Sequence, residues 1–118
     1  MTVMNGEDSP VYLKLRGTIS AMILDGDYAE GDQLPSVRAF AAEHGANPLT
    51  VAKAYQSLQE RGFVSVKRGV GMFVAEGAMG RLRDEERELF LTSFWPKLQR
   101  HIIRLGLKPA DLLEREEV

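Results

Sequence analysis

The chain is 118 residues long, carries 15 Lys/Arg against 17 Asp/Glu for a formal net charge of −2, and contains no cysteine. That length admits one ordinary domain or a small domain with an appendage, and the lack of cysteine excludes a disulfide framework, thiol catalysis and cysteine-based metal sites. No apolar run approaches ~18 residues and no basic-then-apolar leader opens the chain, so the expectation is a cytoplasmic protein with no membrane segment.

Residues 1–8, Met-Thr-Val-Met-Asn-Gly-Glu-Asp, show no periodicity and are expected to be disordered. Ser9-Pro10 opens a first helix with Tyr12, Leu15, Ile19, Met22 and Ile23 on its inner face, and Gly26 ends it. Asp25, Asp27, Glu30 and Asp32 crowd the following loop without the ligand spacing of a calcium loop, and read as a solvated connection.

Ser36 is a good N-cap for a second helix that runs to about His44, with Phe40 and Ala41 facing inward and Gly45 as its stop. Arg38 falls in its first turn, where a cation opposes the local dipole. A phosphate or guanine contact would explain it, and so would an ordinary ion pair with Glu43 or Asp32. After a short turn, Asn47-Pro48 starts a third helix and Arg61-Gly62 stops it. Val51, Ala54, Tyr55 and Leu58 recur at i, i+3, i+4 and i+7 and form its buried stripe. Leu49, Lys53, Gln56 and Glu60 then lie near the opposite face, flanked by Thr50 and Ser57. Such a mixture suits base edges and phosphates in a major groove, although a merely solvated face can look the same.

Phe63–Lys67 and Met72–Ala75 read as two strands joined by Arg68-Gly69-Val70-Gly71. Lys67 and Arg68 make the tip basic, which fits a wing lying on backbone or in a minor groove. Two helices joined by a tight turn and followed by this hairpin predict a mainly helical α+β fold, a winged helix-turn-helix spanning residues 9–75.

Residues 76–118 form a tail too short to fold on its own core. Met79, Leu82, Leu89, Phe90, Phe94 and Trp95 offer more apolar surface than one isolated helix can hide, and Pro96 is expected to kink or break that helix near Trp95. Leu98, Ile102, Ile103 and Leu105 continue an apolar face to Gly106, and Pro109 starts a last short helix carrying Leu112 and Leu113. A helical dimerisation tail is the simplest reading, with Leu82, Leu89, Phe90, Phe94, Trp95, Leu98 and Ile102 at a two-fold homodimer interface. His44 and His101 stand without a second histidine at ligand spacing, so no metal or other cofactor is called for. No nucleophile-base pair or phosphate loop in context points to an enzyme.

Three ordered motifs, Leu34-Pro35-Ser36-Val37-Arg38-Ala39-Phe40-Ala41, Thr50-Val51-Ala52-Lys53-Ala54-Tyr55-Gln56-Ser57-Leu58 and Arg68-Gly69-Val70-Gly71-Met72-Phe73-Val74, resemble those of the GntR family of bacterial transcription regulators. The Asn47-Pro48 and Ala54-Tyr55 pairs and the short tail look most like its YtrA branch. The resemblance implies a sequence-specific regulator, a repressor, binding double-stranded DNA as a dimer on a palindromic operator. It implies that Arg38, Asn47, Leu49, Thr50 and Lys53 face DNA from the helices and that Arg68 and Gly69 do so from the wing, where the basic tip adds Lys67. Pro48 stands where the family often has Arg, so one common contact is missing, and Leu49 stands where a polar residue is usual. A small-molecule effector of unknown identity would act by shifting the tail and hence the spacing of the recognition helices. The alternative is a winged-helix module that binds protein rather than specific DNA, whose association would be insensitive to salt.

Overall fold

The structure, a computed structural model, describes residues 10–115, so residues 1–8, expected to be disordered, lie outside the described residues. The chain divides into two compact units with the boundary between Asp84 and Glu85.

The first unit opens with helix α1, Val11–Asp25, which ends where Gly26 turns left-handed at φ 89°. Ile19 and Ile23 are fully buried and Leu15 and Met22 pack partly against the same core, as the apolar spacing predicts. Helix α2, Val37–His44, is capped by Ser36, whose hydroxyl accepts from the Ala39 N–H at 3.1 Å. Helix α3, Pro48–Glu60, is capped by Asn47, whose side-chain carbonyl accepts from the Leu49 N–H at 2.8 Å. Its buried residues are Val51, Ala54, Tyr55 and Leu58. The Phe40 ring of α2 stacks on His44 of the same helix at 4.1 Å and meets the Tyr55 ring edge-on at 5.9 Å, and the second contact holds α2 against α3.

Strand β1, Val64–Lys67, pairs antiparallel with β2, Gly71–Val74, with Val64 opposite Val74 and Lys67 opposite Gly71. Phe63 falls outside β1, because its N–H returns to the Leu58 carbonyl at 2.9 Å and its ring is buried in the core. The hairpin has a further backbone neighbour that sequence reasoning missed. Gly31 donates to Val74, Val74 donates to Asp32, and Leu34 donates to Met72, all at 2.8–2.9 Å, so the loop before α2 runs as a strand-like edge along β2. Two acidic residues of that loop are engaged by backbone donors: Asp32 accepts from the Ala29 N–H within the loop and Glu30 from the distant Gly77 N–H, each at 2.8 Å.

The Tyr55 hydroxyl donates to the Pro35 carbonyl at 2.8 Å, tying α3 to the entry of α2. Burial foremost, with smaller contributions from Tyr28 and Glu43, pushes its phenol well above the ordinary 10.0. A raised folded-state value makes a contribution to stability that is present below pH 10 and lost as pH climbs beyond it, because only the unfolded chain ionises there. Tyr55→Phe is expected to cost about 1 kcal/mol at pH 7 and to flatten the loss of stability between pH 10 and 12. Denaturant titrations at pH 7 and at alkaline pH measure both effects.

Helix α4, Ala78–Leu89, begins inside this unit: Ala78 and Leu82 are buried in its core, and Arg81 donates to the Gly62 carbonyl at 2.6 Å with its guanidinium 5.0 Å from the Phe63 ring. Leu82 is therefore removed from the expected dimer face, because it is already covered within its own chain.

In the second unit the helical backbone continues without interruption past Trp95, so the chain does not break there. A wide π-helical turn, Phe90–Phe94, precedes helix α5, Trp95–Arg104, and the Trp95 N–H reaches back to the Phe90 carbonyl. Pro96 has no N–H, and its ring crowds the carbonyl four residues earlier. The wider turn is a known way for a helix to absorb such a disturbance. Gly106 follows α5 at φ 76°, and helix α6, Pro109–Leu113, is the last helix among the described residues. Ile102 is buried within the single chain and so also leaves the expected interface, whereas Leu89 and Phe90 are exposed and Phe94, Trp95 and Leu98 are half-buried. Glu86, Arg87, Phe90 and Leu91 line an open groove of about 370 Å³.

Candidate nucleic-acid interface

Every residue expected to face DNA lies in the first unit, on α2, at the start of α3, or on the hairpin tip. With Val51, Ala54, Tyr55 and Leu58 buried, the helical period leaves Leu49 and Lys53 outward on consecutive turns. Leu49 is 78% exposed, Lys53 is exposed, and Thr50 is half-buried beside them. Asn47 is exposed too, but its carbonyl is engaged in capping. The side-chain amide N–H groups are what it can offer a base or phosphate.

Lys53 does not hang free. Its ammonium lies 5.2 Å from the centre of the Tyr12 ring on α1, an arrangement that restrains the side chain while leaving its charge unneutralised. Arg16 of α1 donates to the Ser57 hydroxyl at 2.8 Å, so one flank of α3 is occupied by α1. Sequence periodicity alone placed Ser57 on a solvated flank; a hydrogen bond across 41 positions has no local sequence cue.

Arg38 is exposed on the first turn of α2, and among the described residues it forms no ion pair with Glu43 or Asp32. Glu43 instead lies 3.8 Å from His44, and Asp32 accepts the Ala29 N–H. The ordinary explanation for a cation at this helix start is thereby missing, and the backbone N–H groups of a helix start favour an anion.

At the hairpin, Gly69 takes φ 78° and Val70 donates back to the Lys67 carbonyl at 2.9 Å, a tight reversal that presents Lys67 and Arg68 outward. The Lys67 ammonium sits 4.5 Å from the Phe73 ring, which holds it beside the strand pair. Gln33 braces the same tip by donating to the Val70 carbonyl at 3.0 Å. Gly71 takes φ 149°, a backbone conformation that residues with side chains rarely adopt, and it lets the Gln33 side-chain amide lie close against the backbone.

The result is a donor-rich, cationic set carried by two helix starts and a hairpin tip. Among the described residues no group of three or more His, Asp or Glu side chains could hold a metal ion, and no helix is long and apolar enough to cross a membrane.

A family model described as bacterial regulatory proteins, gntR family, matches residues 11–74. The chain is 32% identical over 107 residues to YhcF of Bacillus subtilis (strain 168), an uncharacterized HTH-type transcriptional regulator, with 89% of this chain and 85% of YhcF covered. It is 39% identical over 70 residues to the HTH-type transcriptional repressor YtrA of the same organism, covering 59% of this chain and 54% of YtrA, so the match spans about half of that protein. Among solved structures, the AraR DNA-binding domain in complex with operator ORE1 superposes with TM-score 0.54 at 25% identity, covering 64% of this chain and 94% of that one.

Proposed function

Because this chain belongs to the GntR family of bacterial regulatory proteins, we propose that it is a repressor that grips a palindromic operator as a dimer in the cytoplasm. It is a DNA-binding transcription regulator with a winged helix-turn-helix, not an enzyme. In the proposed complex Arg38, Asn47, Leu49, Thr50 and Lys53 meet the major groove and its flanking phosphates, and Lys67, Arg68 and Gly69 of the wing meet the adjoining backbone or minor groove. The observation that carries this reading is the exposed, unpaired Arg38 beside the outward turn of α3 that bears Leu49 and Lys53. Dimerisation has its own support in the tail, where Leu89, Phe90 and Leu91 are three consecutive exposed apolar side chains. The repressor role is supported by YtrA, which carries that name.

A net charge of −2 is compatible with this. Affinity follows the local distribution of charge, and a footprint of few cations per subunit requires two subunits for tight binding. The test uses an operator recovered by selection from random duplex DNA. Arg38→Ala is expected to weaken binding by about 1–3 kcal/mol, roughly five- to 150-fold, with no change in melting temperature. Unchanged affinity in folded Arg38→Ala and Lys53→Ala variants would remove this face from the interface.

A further inference from the structure

From the position of Leu49 we infer a specificity-determining contact: its side chain reads the 5-methyl group of one thymine in each operator half-site. The inference rests on the DNA-binding reading above and adds which chemical group is recognised.

Leu49 is 78% exposed, although the helix around it is well fixed. Pro48 holds the first helical position rigid, and the Leu49 N–H is bound to the Asn47 side chain at 2.8 Å. Two residues later Val51 is fully buried, which pins the rotation of α3 and holds Leu49 away from the core. A lone exposed leucine is ordinary on a protein surface. What gives this one meaning is its neighbours: the Asn47 amide N–H groups stand on one side and the Lys53 ammonium one turn further along. Both are groups that hydrogen-bond to acceptors, whereas Leu49 offers none.

In B-DNA the major-groove edge of each base pair carries donors and acceptors, and among the standard bases only thymine adds an apolar group. An isobutyl side chain pressed against a donor or acceptor would leave that group unsatisfied and dehydrated, at a cost in affinity. Against a thymine methyl it removes apolar area from water on both partners. Leu49 therefore favours thymine over cytosine at that place, because cytosine carries only hydrogen at C5 and offers no methyl for the side chain to cover.

Replacing thymine by deoxyuridine removes only that methyl, leaving base pairing and every polar group unchanged. The experiment measures affinity for the selected operator with each thymine replaced in turn, symmetrically in both half-sites, for the wild-type protein and for Leu49→Ala. Loss of one buried methyl corresponds to about a four-fold loss per half-site and about fifteen-fold for the symmetric pair. The expected result is one thymine position showing that loss in the wild type and none in Leu49→Ala, which binds the unmodified operator more weakly. Identical deoxyuridine profiles for the two proteins would overturn the thymine contact while leaving operator binding standing. Failure of the pool to yield any enriched operator would overturn both this inference and the regulator reading beneath it. Because Leu49 is exposed, the alanine variant folds, and its melting temperature verifies this.

Discussion

Phe40→Ala is expected to lower the stability of the first unit by about 3–5 kcal/mol, a large share of the roughly 4–10 kcal/mol available to a domain of this size. The ring is fully buried, meets Tyr55 at 5.9 Å and stacks on His44 at 4.1 Å, so its removal leaves a cavity between α2 and α3. These two helices carry Arg38 on one side and Leu49 and Lys53 on the other. Loosening their packing therefore reaches the DNA-facing surface as well as the core. Urea unfolding of wild type, Phe40→Ala and Phe40→Leu measures the effect. The leucine variant fills most of the volume and is expected to lose far less, about 1–2 kcal/mol. A loss under about 1 kcal/mol for Phe40→Ala would mean that the helix pair is held elsewhere.

Much of this unit is legible in the sequence because its determinants are local. Ser36, Asn47, Gly26, Gly45 and Gly62 act within their own helix ends, and each occupies the place its chemistry predicts. The stripe Val51, Ala54, Tyr55 and Leu58 follows from period alone. What escaped detection depends on residues distant in sequence. Gly31–Leu34 shows no alternation of apolar and polar residues, so nothing local marks it as an edge for β2. Glu30 looked like part of a solvated acidic loop, yet it accepts from Gly77, 47 positions later. Leu82 and Ile102 were expected at an interface because amphipathic period distinguishes buried from exposed faces but not what covers them. At Pro96 the rule against a helix-interior proline held as a local disturbance, expressed as the wide turn Phe90–Phe94 rather than as a break.

Reversing both wing cations, Lys67→Glu with Arg68→Glu, is expected to weaken operator binding by at least about a hundredfold near 150 mM salt. Two attractive contacts per subunit become repulsive, and in a dimer the slope of log affinity against log salt falls by about four. The fold should survive, because both residues are exposed at a hairpin tip and the principal intramolecular loss is the Lys67 contact over Phe73 at 4.5 Å. That contact is worth about 0.5–1 kcal/mol. The Lys67→Gln, Arg68→Gln pair separates loss of charge from repulsion, and should reduce the slope similarly with a smaller loss of affinity. A reversed variant with unchanged affinity and slope would place the wing away from DNA and favour a protein partner for this hairpin.

In the proposed complex two copies of the chain present two α3 helices to one palindrome. Selection from a random-sequence duplex pool at ~150 mM salt, followed by the native mass of the complex with the enriched duplex, tests it most directly. The expected result is a palindrome with half-sites about one helical turn apart, carrying two protein chains. Enrichment of a non-palindromic site by a single chain, or no enrichment by a folded protein, would contradict it.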